Sequence, residues 1–181
     1  MNALAPLVVV VIAYLSGALP WGLWLGRWVR GVDVRTVGSG NLGATNVYRA
    51  LGPALGITTL VLDVAKGAVP VWLLPGSPLA AGFPGGREWC VVAVGLAAIA
   101  GHVWTVFAGF KGGKGVATTA GVLLALSLPA FAAFAVVFLA SVAITRFISL
   151  GSILGALAFA GTLVALAPGG WRNPVTGFGG L

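Results

Sequence analysis

Long apolar runs alternate along this chain with short segments that are rich in glycine and positive charge. Because roughly 20 apolar residues are needed to cross about 30 Å of hydrocarbon, each run of that length predicts a membrane-spanning helix. Divided by length and by helix-breaking residues, the pattern predicts about six crossings. They cover residues 4–25, 53–75, 89–107, two segments within 115–145, and 148–167.

Two of these runs need interpretation. The stretch from 115 to 145 is too long for one crossing and contains Pro129, which breaks a helix interior. We therefore expect two antiparallel helices joined by a tight turn near Leu128 and Pro129. The N-terminal run is preceded by no basic residue and is longer than a signal-peptide core, so we interpret it as a true span.

Composition agrees with this pattern. Hydrophobic residues form 59% of the 181 positions and charged residues only 7%, and the mean hydropathy is +1.07. These values are far from those of water-soluble domains. We predict an all-α, polytopic membrane helix bundle that forms one integral membrane domain over residues 1–181, with a short polar end at 167–181.

The positions of lysine and arginine predict the orientation of the spans. The basic side should be cytoplasmic and the N-terminus outside, because positive loops stay in the cytoplasm. Nucleic acid is not the expected partner of the +7 net charge, because the cations lie beside membrane spans; anionic headgroups or small anions are expected instead. The opposite side holds only Arg87 and Arg172, with Glu88. The basic side holds Arg27, Arg30, Arg35, Arg49, Lys111, Lys114 and Arg146.

Metal, cofactor and disulfide chemistry are not indicated. Cys90 is the single cysteine, so the chain can form no internal disulfide, and we interpret it as a packing residue. One histidine and three acidic residues make a metal site improbable. We expect no metal and no cofactor.

The first glycine segment, residues 37–52, reads VGSGNLGATNVYRALG. Its G-x-G-x-x-G pattern does not indicate a dinucleotide fold, because Asp63, at the spacing of a ribose ligand, lies inside an apolar span. Side-chain hydroxyls, amides and a guanidinium instead predict a phosphate site, although turn capping by Ser39 and Asn41 is an open alternative. The candidate substrate-binding residues are Ser39, Asn41, Thr45, Asn46 and Arg49.

The second glycine segment, residues 110–121, reads FKGGKGVATTAG. It is not a nucleotide P-loop, because Ala108 and Gly115 replace two defining residues of that motif. Glycines still allow backbone N–H groups to surround an anion, and lysines add full charge. Charge that only orients the spans is the alternative. The candidate substrate-binding residues are Lys111, Gly112, Gly113 and Lys114.

Three ionisable residues lie inside predicted spans. An unpaired charge at such a depth costs roughly 2.5–3.5 kcal/mol, so Asp63 and Lys66 need partners. Their i, i+3 spacing places them on one helix face, which favours a structural ion pair over contact with substrate. His102 lies in the third span, where a hydrogen bond to another helix and chemistry are both open.

Four stretches together resemble the successive motifs of the bacterial acyl-phosphate:glycerol-3-phosphate acyltransferases, the PlsY family. The resemblance covers nearly the whole chain. The stretches are GSGNLGATNVYRALG, TTLVLDVAKGAVPV, GHVWTVFAGFKGGKGVATTAG and TRFISLGSI.

The resemblance implies a bacterial inner-membrane enzyme that transfers a fatty acyl group from acyl phosphate to the 1-hydroxyl of glycerol 3-phosphate. The product is lysophosphatidic acid, the first lipid of phospholipid synthesis. The acceptor's phosphate would contact Ser39, Arg49, and Lys111 or Lys114. Membrane lipids and the soluble enzyme that forms acyl phosphate are the implied partners. His102 and a substrate phosphate are the two candidates for the general base.

The chain departs from the family pattern in two places. Thr105 replaces a proline of the second motif, and we expect this to alter only the local bend. The family also has a seventh span and a third motif with a histidine, an asparagine and a glutamate, which the sequence to Leu181 lacks. An inactive homologue that binds lipid or phosphate, and a small-anion or proton-coupled transporter, are the alternatives to an enzyme.

Overall fold

The computed structural model describes residues 4–166. Within that range the regular elements are helices and short helical turns, which confirms the all-α prediction. The predicted polar end, residues 167–181, lies outside the described residues. The helices are α1 (Ala5–Ala18), α2 (Trp21–Arg30), α3 (Ala44–Leu51), α4 (Pro53–Leu73), α5 (Gly86–Val103), α6 (Val116–Leu126), α7 (Leu128–Thr145) and α8 (Ile148–Leu166).

Helix length and apolar composition identify candidate spans among the described residues. Within residues 4–166, four helices are long and apolar enough to cross a membrane, namely α4, α5, α7 and α8. The bent pair α1 and α2 makes a fifth if it counts as one span. Helix α6 has only 11 residues and is too short to cross alone. Four or five candidate spans among residues 4–166 agree with a polytopic helix bundle of about six predicted crossings.

The predicted first span is broken near its C-terminal end. Helix α1 stops at Ala18, and α2 starts at Trp21 after a bend of 40°. Pro20 explains the break, because proline has no N–H to donate and disfavours helical geometry in the residue before it. Helix α2 buries Gly22, Leu23 and Gly26, whereas its last turn, residues 27–30, is exposed and carries Arg27 and Arg30.

The apolar stretch after residue 115 is divided close to the predicted turn. Helix α6 ends at Leu126 and α7 starts at Leu128, with only Ser127 between them. The Ser127 hydroxyl accepts a hydrogen bond from the Ala130 N–H at 3.4 Å, and Pro129 occupies the first turn of α7. A capping serine followed by proline is the usual start of a helix, so the break follows from the local sequence.

The chain divides into two compact units, with the boundary between Val122 and Leu123. In the first unit small residues let helices approach closely, as is typical of membrane helices. A Cβ at Gly17 would meet the Ala98 carbonyl of α5, and one at Gly67 would meet the Thr118 carbonyl of α6. The single integral membrane domain stays a prediction.

The second unit is a pair of packed helices. Gly151 and Gly155 of α8 lie against Phe138 and Phe134 of α7. The same face of α7 carries a ladder of stacked rings that includes Phe131. The outward faces of both helices are apolar and largely exposed, as expected of helices that face lipid. Every candidate site residue lies in the first unit.

Candidate functional site

At the break between α1 and α2, side chains from other parts of the fold reach the backbone carbonyls of Ala18 and Leu19, and the Leu19 carbonyl also accepts the Trp21 N–H at 3.1 Å. The Thr105 hydroxyl donates a hydrogen bond to the Ala18 carbonyl. The Lys66 ammonium, on α4, donates to the Leu19 carbonyl at 2.7 Å. Inside a membrane such groups must find partners within the protein. Thr105 therefore does more than alter a local bend: it joins the end of α5 to the end of α1.

Lys66 also forms an ion pair with Asp63, as the i, i+3 spacing predicted. The Lys66 Nζ atom lies 2.7 Å from Asp63 Oδ1, and both side chains are almost completely buried. This contact confirms that the two charges share one face of α4. A buried charge is tolerated in a membrane protein when it is paired and hydrogen-bonded. The structural interpretation of the pair is supported by this geometry.

His102 of α5 lies beside the ion pair, a contact that sequence reasoning missed. Its Nδ1 atom is 3.8 Å from Asp63 Oδ1, and the residue is 5% exposed. Nδ1 has no hydrogen-bond partner among residues 4–166. On its other edge the ring lies against Gly113, where a Cβ would meet Nε2. No sequence signal links positions 63 and 102, because they are on different helices.

The second glycine segment folds back onto the end of α5. The Gly112 N–H donates to the Val103 carbonyl at 3.0 Å, and the Gly113 N–H donates to the His102 carbonyl at 3.1 Å. A side chain at Gly112 would collide with the His102 carbonyl, so this position requires glycine. Lys111 and Lys114, on either side, are exposed. The backbone is thus fixed while both ammonium groups face solvent.

Asn46 organises the first glycine segment from inside. Its buried amide nitrogen is 3.0–3.2 Å from three backbone carbonyl oxygens. Its amide oxygen accepts the Ser39 N–H at 2.8 Å. These contacts occupy the amide, so Asn46 shapes the segment rather than facing outward to an anion. The three carbonyls belong to Val34, Val37 and Asn41.

The remaining candidates of the first glycine segment differ in their surroundings. The Asn41 side-chain oxygen accepts the Gly43 N–H at 2.8 Å, which is the turn-capping role that was left open. Ser39 and Thr45 are exposed, as is Arg49 on α3. These three side chains are free of intramolecular side-chain hydrogen bonds within the described residues, so their polar groups can contact a ligand.

The two glycine segments meet through a shared core and a shared pocket. Leu42 and Val47, from the first, pack in one hydrophobic cluster with Ala108, just before the second. Leu42 and Gly113 also line the same small pocket. This arrangement supports the expectation that both segments lie close together. The pocket is lined by Ala18, Pro20, Trp21, Leu42, Asp63, Lys66, His102, Thr105 and Gly113.

Asp33 ties the end of α2 to the start of the first glycine segment. It pairs with Arg35 at 2.7 Å and with Arg27 at 2.8 Å. The Arg35 guanidinium, aided by Arg27, holds the pKa of the Asp33 carboxyl well below its usual range. Arg27 and Arg35 thus have a partner inside the protein, in addition to any lipid headgroup they contact. Arg30 remains exposed.

Among residues 4–166, no three histidine, cysteine or acidic side chains come together in a way that could hold a metal ion. Cys90 is fully buried at the far end of α5, which is consistent with a packing role. The groups that the described residues bring to the site are cations, hydroxyls and backbone amides, together with the enclosed His102 and Asp63.

Comparison with known proteins gives a consistent result. The family model of Glycerol-3-phosphate acyltransferase matches residues 7–178. A glycerol-3-phosphate acyltransferase of Anaeromyxobacter sp. (strain Fw109-5) is 50% identical over 175 residues, covering 94% of this chain and 81% of the relative.

Two crystal structures of PlsY (YgiH), an integral membrane glycerol 3-phosphate acyltransferase, are also similar, each at 39% sequence identity. The glycerol 3-phosphate form aligns with a TM-score of 0.78 over 91% of this chain and 79% of that chain. The lysophosphatidic acid form aligns with a TM-score of 0.76 over 90% and 78%.

The buried ion pair yields a stability prediction. Lys66→Met should lower the free energy of unfolding by about 3–5 kcal/mol, because Asp63 loses its cation and the Leu19 carbonyl loses one of its two donors. Adding Asp63→Asn should restore part of this loss, since no unpaired charge is left. Denaturant-induced unfolding in detergent measures both. A double variant that is less stable than Lys66→Met alone would contradict the ion-pair account.

The Asn46 network yields a second stability prediction. Asn46→Asp keeps the shape but replaces an amide donor by an oxygen that faces backbone carbonyls, at a cost of about 1–3 kcal/mol. Asn41→Asp is the matched control, because its oxygen only accepts a hydrogen bond and that bond is preserved. Thermal unfolding of both variants provides the comparison. Equal midpoints for the two would show that the Asn46 amide is not needed internally.

Proposed function

Because this chain belongs to the glycerol-3-phosphate acyltransferase family, we propose that it takes its acyl group from acyl phosphate when it acylates glycerol 3-phosphate. The chain is a multi-pass membrane acyltransferase of phospholipid synthesis, and its reaction converts glycerol 3-phosphate to lysophosphatidic acid. We place it in the bacterial inner membrane with both glycine segments in the cytoplasm, as the distribution of lysine and arginine indicates.

The proposed reaction needs positioning more than it needs a reactive side chain. The 1-hydroxyl oxygen of glycerol 3-phosphate attacks the acyl carbonyl carbon, and the bond from that carbon to the phosphate oxygen breaks. Acyl phosphate is already activated and has a good leaving group, so no covalent enzyme intermediate is required. The protein must hold two anions together against their repulsion and stabilise charge on the departing phosphate.

The exposed cations and hydroxyls of the two glycine segments are suited to this task. We assign the acceptor's phosphate to Ser39 and Arg49 of the first segment and to Lys111 and Lys114 of the second. Thr45 and the Gly112 to Gly113 backbone border the same region. The observation that carries the assignment is the pocket that Leu42 and Gly113 line together, since it brings both segments to one place.

The proton of the attacking hydroxyl needs an acceptor. His102 is 5% exposed, with Gly113 against one edge of its ring and Asp63 near the other. That enclosure favours a substrate phosphate as the base, because a phosphate has a second pKa near 6 and is present at the reacting atoms. In this scheme the substrate phosphate takes the proton of the attacking hydroxyl, and no protein group changes its charge.

An activity assay tests the assignment. Purified chain should release phosphate from acyl phosphate only when glycerol 3-phosphate is present, and the Lys111→Ala/Lys114→Ala variant should lose at least tenfold in kcat/KM. This loss reflects the removal of two cations from the anion site. Arg87→Ala is the matched control, because it removes an exposed positive charge from the first turn of α5, which is predicted to face the other side of the membrane.

Three results would contradict the proposal. Phosphate release without the acceptor would indicate hydrolysis instead of transfer. Transfer from a different acyl donor, with acyl phosphate inert, would refute the donor. Unchanged kcat/KM in the double lysine variant would remove the second glycine segment from the anion site.

A further inference from the structure

The backbone of the second glycine segment rests directly on His102. The Gly113 N–H donates to the His102 carbonyl at 3.1 Å, and the Gly113 backbone lies against the imidazole ring. Gly112 lies against the same carbonyl. One residue of α5 therefore contacts both glycines between Lys111 and Lys114, through its main chain and its side chain.

The edge of the imidazole ring opposite to Gly113 lies beside the buried ion pair of Asp63 and Lys66. Its Nδ1 edge faces Asp63 Oδ1 at 3.8 Å, and Asp63 is held by Lys66 at 2.7 Å. Lys66 is in turn bonded to the Leu19 carbonyl at the broken end of α1. A continuous series of buried contacts thus joins α1, α4 and α5 to the glycine backbone. The ring has little room to move, because it is 5% exposed.

We propose that His102 is a positioning residue, whose ring supports the Gly112 to Gly113 backbone and so fixes Lys111 and Lys114 where they bind the phosphate of glycerol 3-phosphate. This inference rests on the proposed function of the second glycine segment. It gives His102 a role in acceptor affinity and none in proton transfer. Loss of the ring lets the glycine backbone move, so the two ammonium groups no longer converge on one anion.

Two amide substitutions of His102 distinguish a role in supporting the Gly113 backbone from a need for any polar side chain at this position. Glutamine and asparagine carry the same amide, but only glutamine reaches the position of the ring edge that touches Gly113. We expect His102→Asn to raise KM for glycerol 3-phosphate about tenfold, with kcat changed less than threefold. His102→Gln should stay within threefold of wild type in both constants. If the asparagine variant does not fold, His102→Leu replaces it, with the same expected rise.

Cys90→Ser is the control for stability alone, because Cys90 is fully buried in the same helix at its far end. It should lower the thermal midpoint and leave KM unchanged. KM does not depend on the amount of folded enzyme, so a merely structural role for His102 would move the midpoint and not KM. Equal KM values across all four proteins, or equal rises in the asparagine and glutamine variants, would overturn the inference.

Two further outcomes distinguish this inference from the proposed reaction. A loss of kcat above a hundredfold in both amide variants, with KM unchanged, would overturn the positioning role in favour of proton transfer. If wild type shows no acyl transfer, the proposed donor fails, and calorimetric affinity for glycerol 3-phosphate tests His102 on the same variants. A tenfold weaker affinity in His102→Asn than in His102→Gln would then support the positioning role, and equal affinities would refute it.

Discussion

The architecture of the first unit depends on satisfying the carbonyls at a helix that breaks inside the membrane. Pro20 ends α1, and the carbonyls of Ala18 and Leu19 at the break must find partners within the protein, one of which is the Trp21 N–H for Leu19. Thr105, two residues after α5, and Lys66 of α4 reach them. A charged ammonium is costly at that depth, and Asp63 offsets it. Three helices are therefore joined at one point by polar contacts rather than by apolar packing alone.

The same contacts determine what the site can do. The Asp63–Lys66 ion pair and His102 are buried, and the backbone of the second glycine segment packs against His102. The positive charges that a ligand can reach are therefore those of the exposed lysines and arginines at the surface. Rigid backbone with free cations is well suited to binding phosphorylated substrates, because little reorganisation is needed when charge develops. Acyl transfer from an activated donor requires this kind of positioning and no nucleophilic side chain.

Some of this could be predicted from local sequence rules, and some could not. Apolar run lengths indicated an all-α membrane protein, and the i, i+3 rule placed Asp63 and Lys66 on one face, because both depend on neighbouring residues. The bond from Lys66 to Leu19 joins residues on different helices, so no local pattern reports it. Asn46 was expected to bind substrate because an amide can serve a ligand or the backbone equally well; only the fold shows which carbonyls surround it.

The central claim is that two glycine segments, distant in sequence, form one anion site on a scaffold fixed by the broken helix. An experimental structure of this chain with glycerol 3-phosphate bound measures this most directly. The account predicts that the phosphate contacts Ser39 or Arg49 from one segment and Lys111 or Lys114 from the other, with His102 still enclosed behind Gly113. A phosphate held by one segment alone, or located away from the pocket between Leu42 and Gly113, would contradict it.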